Sequence, residues 1–316
     1  MRDSPGRGSL TRGVHMADRL LVFGGGGFVG GNLCTLALRA GWEVHVADAS
    51  VRAALMGATW HAIDITRAGD VETLVASVRP KAVVDLAAVA DVDRAERERE
   101  LARAVNVDAA GSIAAASAKG RARCIYFSSD AVFAGTADSY AEDDQVAPVN
   151  WYGQTKSDGE LAVRAVNPES VILRISLALG FPVTDGNSFL EGLQKKLAAG
   201  TPVPCPTDEI RTPIDVLTLS ACVLELCRNS YAGTLHLGST NSVDRYTLTR
   251  RAAALMGFPA TLATAQAPGP LVPGRAPRHK RGVINVTRAR QLLSVPLLDW
   301  ERTLERAVND RLLKEG

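Results

Sequence analysis

The stretch WYGQTKSDGE (151–160) places a tyrosine, Tyr152, four residues before a lysine, Lys156. Positions i and i+4 of a helix share a face, so the phenol and the ammonium can meet there. A neighbouring cation favours the phenolate and lowers the pKa of a tyrosine from its usual value of about 10. The pattern therefore predicts a side chain that gives or takes a proton near neutral pH. A surface pair has the same spacing, so the surrounding elements must decide between the two interpretations.

A second candidate site lies near the start of the chain, where GGGGFVGG (24–31) contains Gly24, Gly27 and Gly30 at the spacing G-x-x-G-x-x-G. The apolar run RLLVF (19–23) predicts a strand before it, and residues 28–40 show helical spacing that ends at Gly41. Glycines let backbone N–H groups approach a pyrophosphate, and the start of a helix adds partial positive charge. A glycine motif between a strand and a helix indicates a dinucleotide site rather than a structural turn.

Two acidic residues extend this site. Asp48 ends a second predicted strand, WEVHVAD (42–48), about 20 residues beyond the glycines. A carboxylate there accepts hydrogen bonds from the adenosine ribose and repels a 2′-phosphate, which favours NAD over NADP. Because Arg52 lies nearby, NADP remains an alternative cofactor. Asp64 ends a third strand, ATWHAID (58–64), just before Ile65. The Asp64 carboxylate is expected either to contact the adenine amino group or to cap the following turn.

Strands and helices alternate up to residue 176. Further strands are predicted at 81–90, 121–129 and 170–176, with helices ending at Val78, over 94–118, and from Tyr152 to before Pro168. This alternation predicts an α/β fold, a Rossmann-type doubly wound parallel sheet. Ligands bind at the carboxyl ends of such strands, so Ser129, which ends the fifth strand, and Tyr152 face one crevice.

The domain division follows from the same pattern. Residues 1–15 are polar and lack the apolar core of a signal peptide, and they are expected to form a disordered leader. Residues 16–176 form the predicted NAD(P)-binding domain. Beyond them the pattern is irregular and prolines cluster at 202–206 and 268–277, so residues 177–316 are expected to form a smaller substrate-binding lobe, partly interleaved with the first domain.

Composition excludes several function classes. The chain has 316 residues, 46% of them hydrophobic, with a net charge of +2, so nothing draws it toward nucleic acid. No apolar run approaches the roughly 20 residues that cross a bilayer. Its five cysteines fit neither a disulfide framework nor a zinc site, and Cys34 and Cys124 lie among apolar residues. We therefore expect a cytoplasmic protein, and no metal is expected. The basic stretch RAPRHKR (275–281) is a solvated loop or a site for a phosphate-bearing ligand.

Three longer segments carry a resemblance to a known family. They are FGGGGFVGGNL (23–33), DLAAVADVDRAERERELARAVNVDAAG (85–111) and YFSSDAVFAGTADSYAEDDQVAPVNWYGQTKSDGELAV (126–163). The chain resembles the extended short-chain dehydrogenase/reductases, and among them the dTDP-4-dehydrorhamnose reductase branch. A weaker likeness continues through IRTPIDV (210–216) to the terminal helix, so the resemblance covers nearly the whole chain from about residue 19.

The resemblance implies roles for particular residues. Tyr152 would protonate the keto oxygen of the substrate as hydride arrives, Lys156 would hold the nicotinamide ribose and lower the tyrosine pKa, and Ser129 would hydrogen-bond the same keto oxygen. Further cofactor contacts are implied for Phe28, Val29, Ala87, Ala88, Val89, Asn106 and Ser128. Substrate contacts are implied for Asp91, Asp130, Ala131, Asn187 and Arg211, with Arg211 against a diphosphate.

The leading hypothesis is an NAD(P)-dependent reductase of a 4-keto nucleotide-activated deoxysugar. A homodimer is compatible with this hypothesis. One alternative is a nucleotide-sugar epimerase with tightly bound NAD. Another is a dinucleotide-binding regulator resembling the regulatory subunit of methionine adenosyltransferase. Dehydration is disfavoured because Ala131 follows Asp130 where an acid is needed. The branch usually carries aromatics at Ala131 and at 177–179, so their absence leaves the sugar unassigned.

Overall fold

A computed structural model of the chain describes residues 17–49, 55–184, 186–267 and 274–310. The predicted leader at 1–15 and Arg52 lie outside the described residues. Within those residues no helix is long and apolar enough to cross a membrane.

The described residues form fourteen strands, which are numbered in chain order. They are β1 Arg19–Phe23, β2 Glu43–Asp48, β3 Thr59–Ala62, β4 Ala82–Asp85, β5 Arg123–Ser129, β6 Val171–Ile175, β7 Leu177–Leu179, β8 Val203–Pro206, β9 Ile210–Arg211, β10 Pro213–Asp215, β11 Gly233–Leu237, β12 Val243–Asp244, β13 Ala263–Gln266 and β14 Arg281–Gly282.

Eleven α-helices accompany the strands in the same part of the chain. They are α1 Phe28–Arg39, α2 Ala68–Val78, α3 Val92–Arg97, α4 Arg99–Arg103, α5 Ala110–Lys119, α6 Trp151–Val166, α7 Phe189–Ala198, α8 Val216–Leu226, α9 Arg245–Leu255, α10 Thr287–Leu292 and α11 Trp300–Asn309.

Seven strands make one parallel sheet in the order β11-β6-β5-β4-β1-β2-β3. Its central strands are apolar and buried, as expected where helices cover both faces. One apolar core joins the sheet to α1 and α8, and another joins it to α2 and α5. The predicted α/β doubly wound fold is confirmed, and all five cysteines, including Cys34 and Cys124, are buried and free.

One element differs from its prediction. A single helix was expected over 94–118, but the chain forms α3, a break at Glu98, α4, a π-helical stretch Ala104–Ala109, and then α5. A π-helical stretch accommodates one extra residue in the helical repeat and often occurs at functional sites. Hydrophobic periodicity could not predict it, because the stretch shifts the repeat by only that residue.

The residues after 176 contribute to both parts of the molecule. Strand β11 pairs with β6 at one edge of the large sheet, and α8 packs on α1. The other short strands form three small sheets, β10-β7, β12-β9-β14 and β13-β8, over a separate core from α7, α9 and α11. The division at residue 176 stays a prediction.

Candidate active site

The glycine loop turns the chain from β1 into α1. Gly24 has a φ of +75°, and a Cβ there would lie 2.9 Å from the backbone of Leu86 and Ala87. A Cβ on Gly30 would collide with the Gly24 carbonyl oxygen, so these two glycines keep the turn compact. At Gly27 a Cβ would meet only the Gly24 oxygen, at 3.4 Å, so a side chain there would extend toward open space.

A groove of about 610 Å³ runs along the carboxyl ends of β1, β2, β3 and β4. It brings together many of the predicted cofactor residues, namely Gly24, Gly27, Asp48, Asp64, Ile65, Ala87, Ala88 and Val89. Phe28 and Val29 form the first turn of α1 beside the loop. Residues from four separate strand ends therefore line one elongated groove, which suits a dinucleotide.

The two acids in the groove have different neighbours. Asp48 accepts a hydrogen bond from the backbone N–H of Gly26 in the glycine loop, at 3.1 Å. Asp64 is exposed and accepts from the N–H and hydroxyl of Thr66, at 3.0 and 2.6 Å, which lowers its pKa. Asp64 thus adopts the turn-capping arrangement, whereas Asp48 is connected to the loop expected to hold the pyrophosphate.

Asn106 braces the backbone beside the groove. It lies in the π-helical stretch, fully buried, and its Oδ1 accepts from the Val89 N–H at 2.8 Å. Its Nδ2 donates to the Thr155 hydroxyl on α6 at 2.9 Å, and its carbonyl accepts from the Tyr126 hydroxyl at 3.1 Å. One asparagine therefore connects the loop after β4 with α6 and β5.

Ser129 and Tyr152 meet at the end of β5. Asn150 caps α6 by accepting from the Gly153 N–H at 2.8 Å, which sets Tyr152 in the first turn. Burial raises the pKa of Tyr152 to about 12, although a hydrogen bond with Ser129 opposes the rise. The expectation that this phenol would be shifted toward ionisation is therefore wrong, because burial raises its pKa and the negative charge of Asp130 adds to the rise.

Lys156 lies one turn further along α6 and is buried. Its Nζ sits 4.2 Å from the ring centroid of Tyr126, a favourable cation–π position. Burial lowers the pKa of Lys156 to about 8, against the attraction of Asp85 and Glu160. Burial also raises the pKa of Asp85 to about 6, so a poorly solvated carboxyl and ammonium share this corner.

A buried ion pair supports the same corner from behind. Glu160 and Arg174 form two hydrogen bonds, of 2.8 Å and 2.6 Å, and both side chains are more than nine-tenths buried. Glu160 also accepts from the Ser128 hydroxyl at 2.5 Å. Ser128, a predicted cofactor contact, is thus engaged with α6, and the pair fixes α6 against β5 and β6.

Asp130 sits beneath a loop from the C-terminal half, which we call the strap (residues 275–282). Its Oδ2 accepts from the Ser176 hydroxyl at 2.8 Å and lies 3.1 Å from Nε2 of His279 on the strap. Arg211 holds the strap by donating to the carbonyls of His279 and Lys280, at 3.0 and 2.8 Å. At the other end Asp93 accepts from the Ala276 N–H at 2.9 Å.

The predicted substrate residues are not all equally placed to meet a ligand. Arg211 is buried and donates to three backbone carbonyls, so a phosphate contact would exchange existing bonds. Asp91 caps α3, Ala131 is buried against Gly153 of α6, and Asn187 is exposed. Asp130 is close to Ser129 and Tyr152. The substrate roles of all five stay predictions.

The comparisons with known proteins agree with this geometry. The RmlD substrate binding domain family matches residues 18–312. The chain belongs to this family. A dTDP-4-dehydrorhamnose reductase of Mycolicibacterium smegmatis is 31% identical over 93% of this chain and 86% of its own length. A probable low-salt glycan biosynthesis reductase of Haloferax volcanii is 36% identical over 64% of this chain and 68% of its own.

A solved structure of an RmlD-family relative resembles the whole fold. The dTDP-4-dehydrorhamnose reductase of Bacillus anthracis in complex with NADP superposes with a TM-score of 0.83 and 26% identity, covering 93% of this chain and all of that one. That complex supports NAD or NADP as the cofactor of the family fold and leaves the choice between them a prediction for this chain.

Three residues near the RmlD-family site were missed in the sequence. Asp85 had a usable signal, since it is the acid inside the otherwise apolar run KAVVDLAA. His279 had none, because the run RAPRHKR indicated a solvated loop or a phosphate site, and neither interpretation predicts a histidine beside Asp130. Arg245 begins α9 with its guanidinium 4.2 Å from the ring centroid of Phe189, and its neighbours become visible only when the small sheet β12-β9-β14 forms.

Proposed function

We propose that this RmlD-family protein is an NAD(P)-dependent reductase that reduces the 4-keto group of a dTDP-linked deoxysugar. The observation that carries the proposal is the Ser129–Tyr152 pair at the carboxyl end of β5, next to a groove lined by the glycine loop. The substrate class comes from the names of the relatives. The groove itself supports the cofactor class, because backbone of Gly24 and Gly27 and the carboxylate of Asp48 line it.

A bound nicotinamide cofactor supplies the hydride. Tyr152 supplies the proton, since a pKa near 12 keeps the phenol protonated at neutral pH. Lys156 lies one turn after Tyr152 on α6, and its cationic form would stabilise the phenolate that remains after the proton leaves. With a pKa of about 8, Lys156 is mostly charged at pH 7.

Asp130 argues against a dehydratase. An acid that protonates a leaving hydroxyl must hold a proton, but His279, Arg211 and Ser176 hold the pKa of Asp130 below its usual value despite burial. The following residue is Ala131, which cannot serve as the second acid. The arrangement supports a single proton transfer through Tyr152, as in a reductase.

Finer points belong to the same proposal. We propose NAD as the favoured cofactor, because of the carboxylate of Asp48. We also propose that a nucleotide diphosphate is held near Arg211 and Arg245. The protein is further proposed to be cytoplasmic and to form a homodimer without membrane or nucleic-acid partners. Arg245 follows directly after β12, the strand that pairs with β9 at Arg211, and the structure gives its guanidinium an aromatic face and no carboxylate within ion-pair distance among the described residues.

The test is a turnover assay on a dTDP-4-keto-6-deoxysugar, followed by the loss of NADH or NADPH absorbance. We expect turnover with an exchangeable cofactor, and a purified protein free of bound nucleotide. Tightly retained NAD with interconversion of sugar epimers would favour the epimerase. Cofactor binding without turnover of any keto sugar would favour the regulatory subunit.

A further inference from the structure

A segment of the C-terminal half lies against the glycine loop. We call it the β7–α7 segment, and its described residues are 180–184 and 186. The hydroxyl of Thr184 donates to the carbonyl oxygen of Gly26 at 2.9 Å, and the carbonyl oxygen of Gly27 lies 3.3 Å from the same hydroxyl. Thr184 is only 8% exposed, so water has little access to this bond. The loop expected to hold the pyrophosphate is therefore bonded to a residue 158 positions away in the sequence.

Two glycines permit this contact, one on each side of it. Gly31 is buried on α1, and a Cβ there would lie 2.7 Å from the hydroxyl oxygen of Thr184. A Cβ on Gly186 would collide with the backbone nitrogen of Phe28 in the first turn of α1. A larger residue at either position would push the two elements apart, so both glycines are needed for the β7–α7 segment to touch the start of α1.

Asn32 fixes the β7–α7 segment a few residues earlier. Its side chain is 1% exposed, and Nδ2 donates to the carbonyl oxygen of Phe181 at 3.1 Å and to that of Phe28 at 2.9 Å. The segment therefore donates to the glycine loop through Thr184 and accepts from α1 through Phe181. Because it is held at both points, Thr184 acts on the loop from a fixed position.

The bond from Thr184 completes the fixing of one peptide unit in the loop. In a trans peptide the C=O and the N–H point in opposite directions. The unit between Gly26 and Gly27 has its C=O on Thr184 and its N–H on the Gly24 carbonyl, at 3.1 Å. The unit before it is held by Asp48, which accepts from the Gly26 N–H. Without Thr184 the Gly26 carbonyl could turn, since glycine adopts many backbone conformations.

The direction of this carbonyl matters for an anionic ligand. A carbonyl oxygen carries partial negative charge and repels a pyrophosphate, whereas the first N–H groups of α1 attract one. The described residues that line the groove include Gly24 and Gly27 but neither Gly26 nor Thr184. The bond therefore keeps a repelling oxygen on the side of the C-terminal half, away from the groove.

We propose that Thr184 is a positioning residue for the dinucleotide, which fixes the glycine loop with the Gly26 carbonyl turned away from the pyrophosphate. The inference rests on the cofactor binding of the proposed function and goes beyond it, because it assigns part of the cofactor affinity to the C-terminal half of the chain. NADH and NADPH share the pyrophosphate, so Thr184 acts equally on both. Asp48, in contrast, acts at the ribose end and separates the two cofactors.

The first experiment compares Thr184→Val, which keeps the shape and removes the hydroxyl, with Thr184→Ser, which keeps the hydroxyl. The Kd values for NADH and NADPH are measured by cofactor fluorescence without a sugar. We expect both values to rise about three- to tenfold in Thr184→Val, as for one lost hydrogen bond, and to stay near the wild type in Thr184→Ser. Thr35→Val is the matched control, since its hydroxyl donates to the Gly31 carbonyl at 2.8 Å, beyond the loop, and it should leave Kd unchanged.

Gly31→Ala tests the same contact from the side of α1. The added methyl group displaces the Thr184 hydroxyl, while alanine suits a helix interior, so Kd should rise by a similar factor without a loss of folding. In combination with Thr184→Val it should add little, because both changes remove the same bond. Additive losses in the double variant would show that the two residues act separately and would overturn the proposal.

The remaining outcomes distinguish this inference from the proposed function. An unchanged Kd in Thr184→Val, or equal losses in Thr184→Val and Thr184→Ser, would overturn the inference alone. A lower Kd in Thr184→Val would show that the β7–α7 segment obstructs the loop, and would overturn it as well. A wild type that binds neither cofactor would overturn the inference and the proposed function together. Weakened binding in Thr184→Val would support the inference even if no keto sugar is turned over.

Discussion

The two sides of the proposed active site use their charged residues differently. On the sheet side, Tyr152 and Lys156 project from one regular helix, and Lys156 has an aromatic face for a neighbour. On the lobe side, Arg211 holds the strap, and its donors are already occupied by backbone carbonyls. The first side presents reactive atoms, and the second mainly fixes loop positions.

The difference shows what local regularity contributes to a site. A helix fixes the relation between positions 152 and 156 by itself, so the spacing in the sequence already contains the geometry. An arginine on a two-residue strand has no such fixed relation, and its neighbours are set by contacts across about 70 residues, as between Arg211 and His279. The four predictions below test this contrast.

The largest effect is expected at Tyr152. Tyr152→Phe keeps the ring and removes the proton, so kcat should fall by about 10²–10⁴-fold with little change in stability or cofactor affinity. Steady-state kinetics and a thermal melt measure both. A Tyr152→Phe variant with a normal kcat would show that Tyr152 is not the proton source, and the contrast between the two sides would be wrong.

The second prediction concerns the effect of Lys156 on the stability of the protein. Its folded pKa of about 8 lies below the usual 10.5, so ionisation of this lysine opposes folding below pH 8, by about 3 kcal/mol. Lys156→Met should therefore be inactive yet more stable at pH 7. The gain should shrink as the pH rises from 8 toward 10.5, because the unfolded lysine then also loses its proton.

Denaturant unfolding at several pH values checks this. A Lys156→Met protein that is less stable than the wild type at pH 7 would mean that the contact with Tyr126 outweighs the cost of burial.

The third prediction separates two arginines of the lobe side. Arg245→Met should raise the KM for the nucleotide sugar by about tenfold, as loss of a charge-assisted hydrogen bond allows, and leave kcat alone. Arg211→Ala should lower kcat as well, because it releases the strap. Arg250→Met is the matched control, since its guanidinium also stacks on an aromatic ring, that of Tyr246 on the same helix.

A rise in KM alone for Arg211→Ala would restore its predicted phosphate contact. Equal effects of Arg245→Met and Arg250→Met would remove Arg245 from the site.

The smallest effect is expected at Asp48. Asp48→Ser keeps a hydrogen-bonding group near the Gly26 N–H and removes the charge that repels a 2′-phosphate. The preference for NADH over NADPH should fall about fivefold, the equivalent of about 1 kcal/mol of screened repulsion. Affinities for both cofactors measure it, and an unchanged ratio would show that Asp48 does not select the cofactor.

Much of the fold was predictable, because apolar strands and amphipathic helices alternate regularly as far as residue 176. The glycine loop and the Tyr152–Lys156 pair were predictable for the same reason, since each occupies the end or face of one element. The raised pKa of Tyr152 was not, because desolvation depends on what covers the ring. Nor was His279, whose approach to Asp130 depends on a glycine at position 282 and on Arg211 holding the strap.

Strand β11 bears on how the molecule can be divided. It lies at the edge of the large sheet and covers β6, so a fragment that ends near residue 176 would leave the N–H and C=O groups along that side of β6 without their ladder. Such an edge is a template for pairing with another chain. The chain should therefore lose its solubility when cut between its two halves, and the residues after 176 cannot be exchanged as a module unless residues 233–237 remain with the sheet they complete.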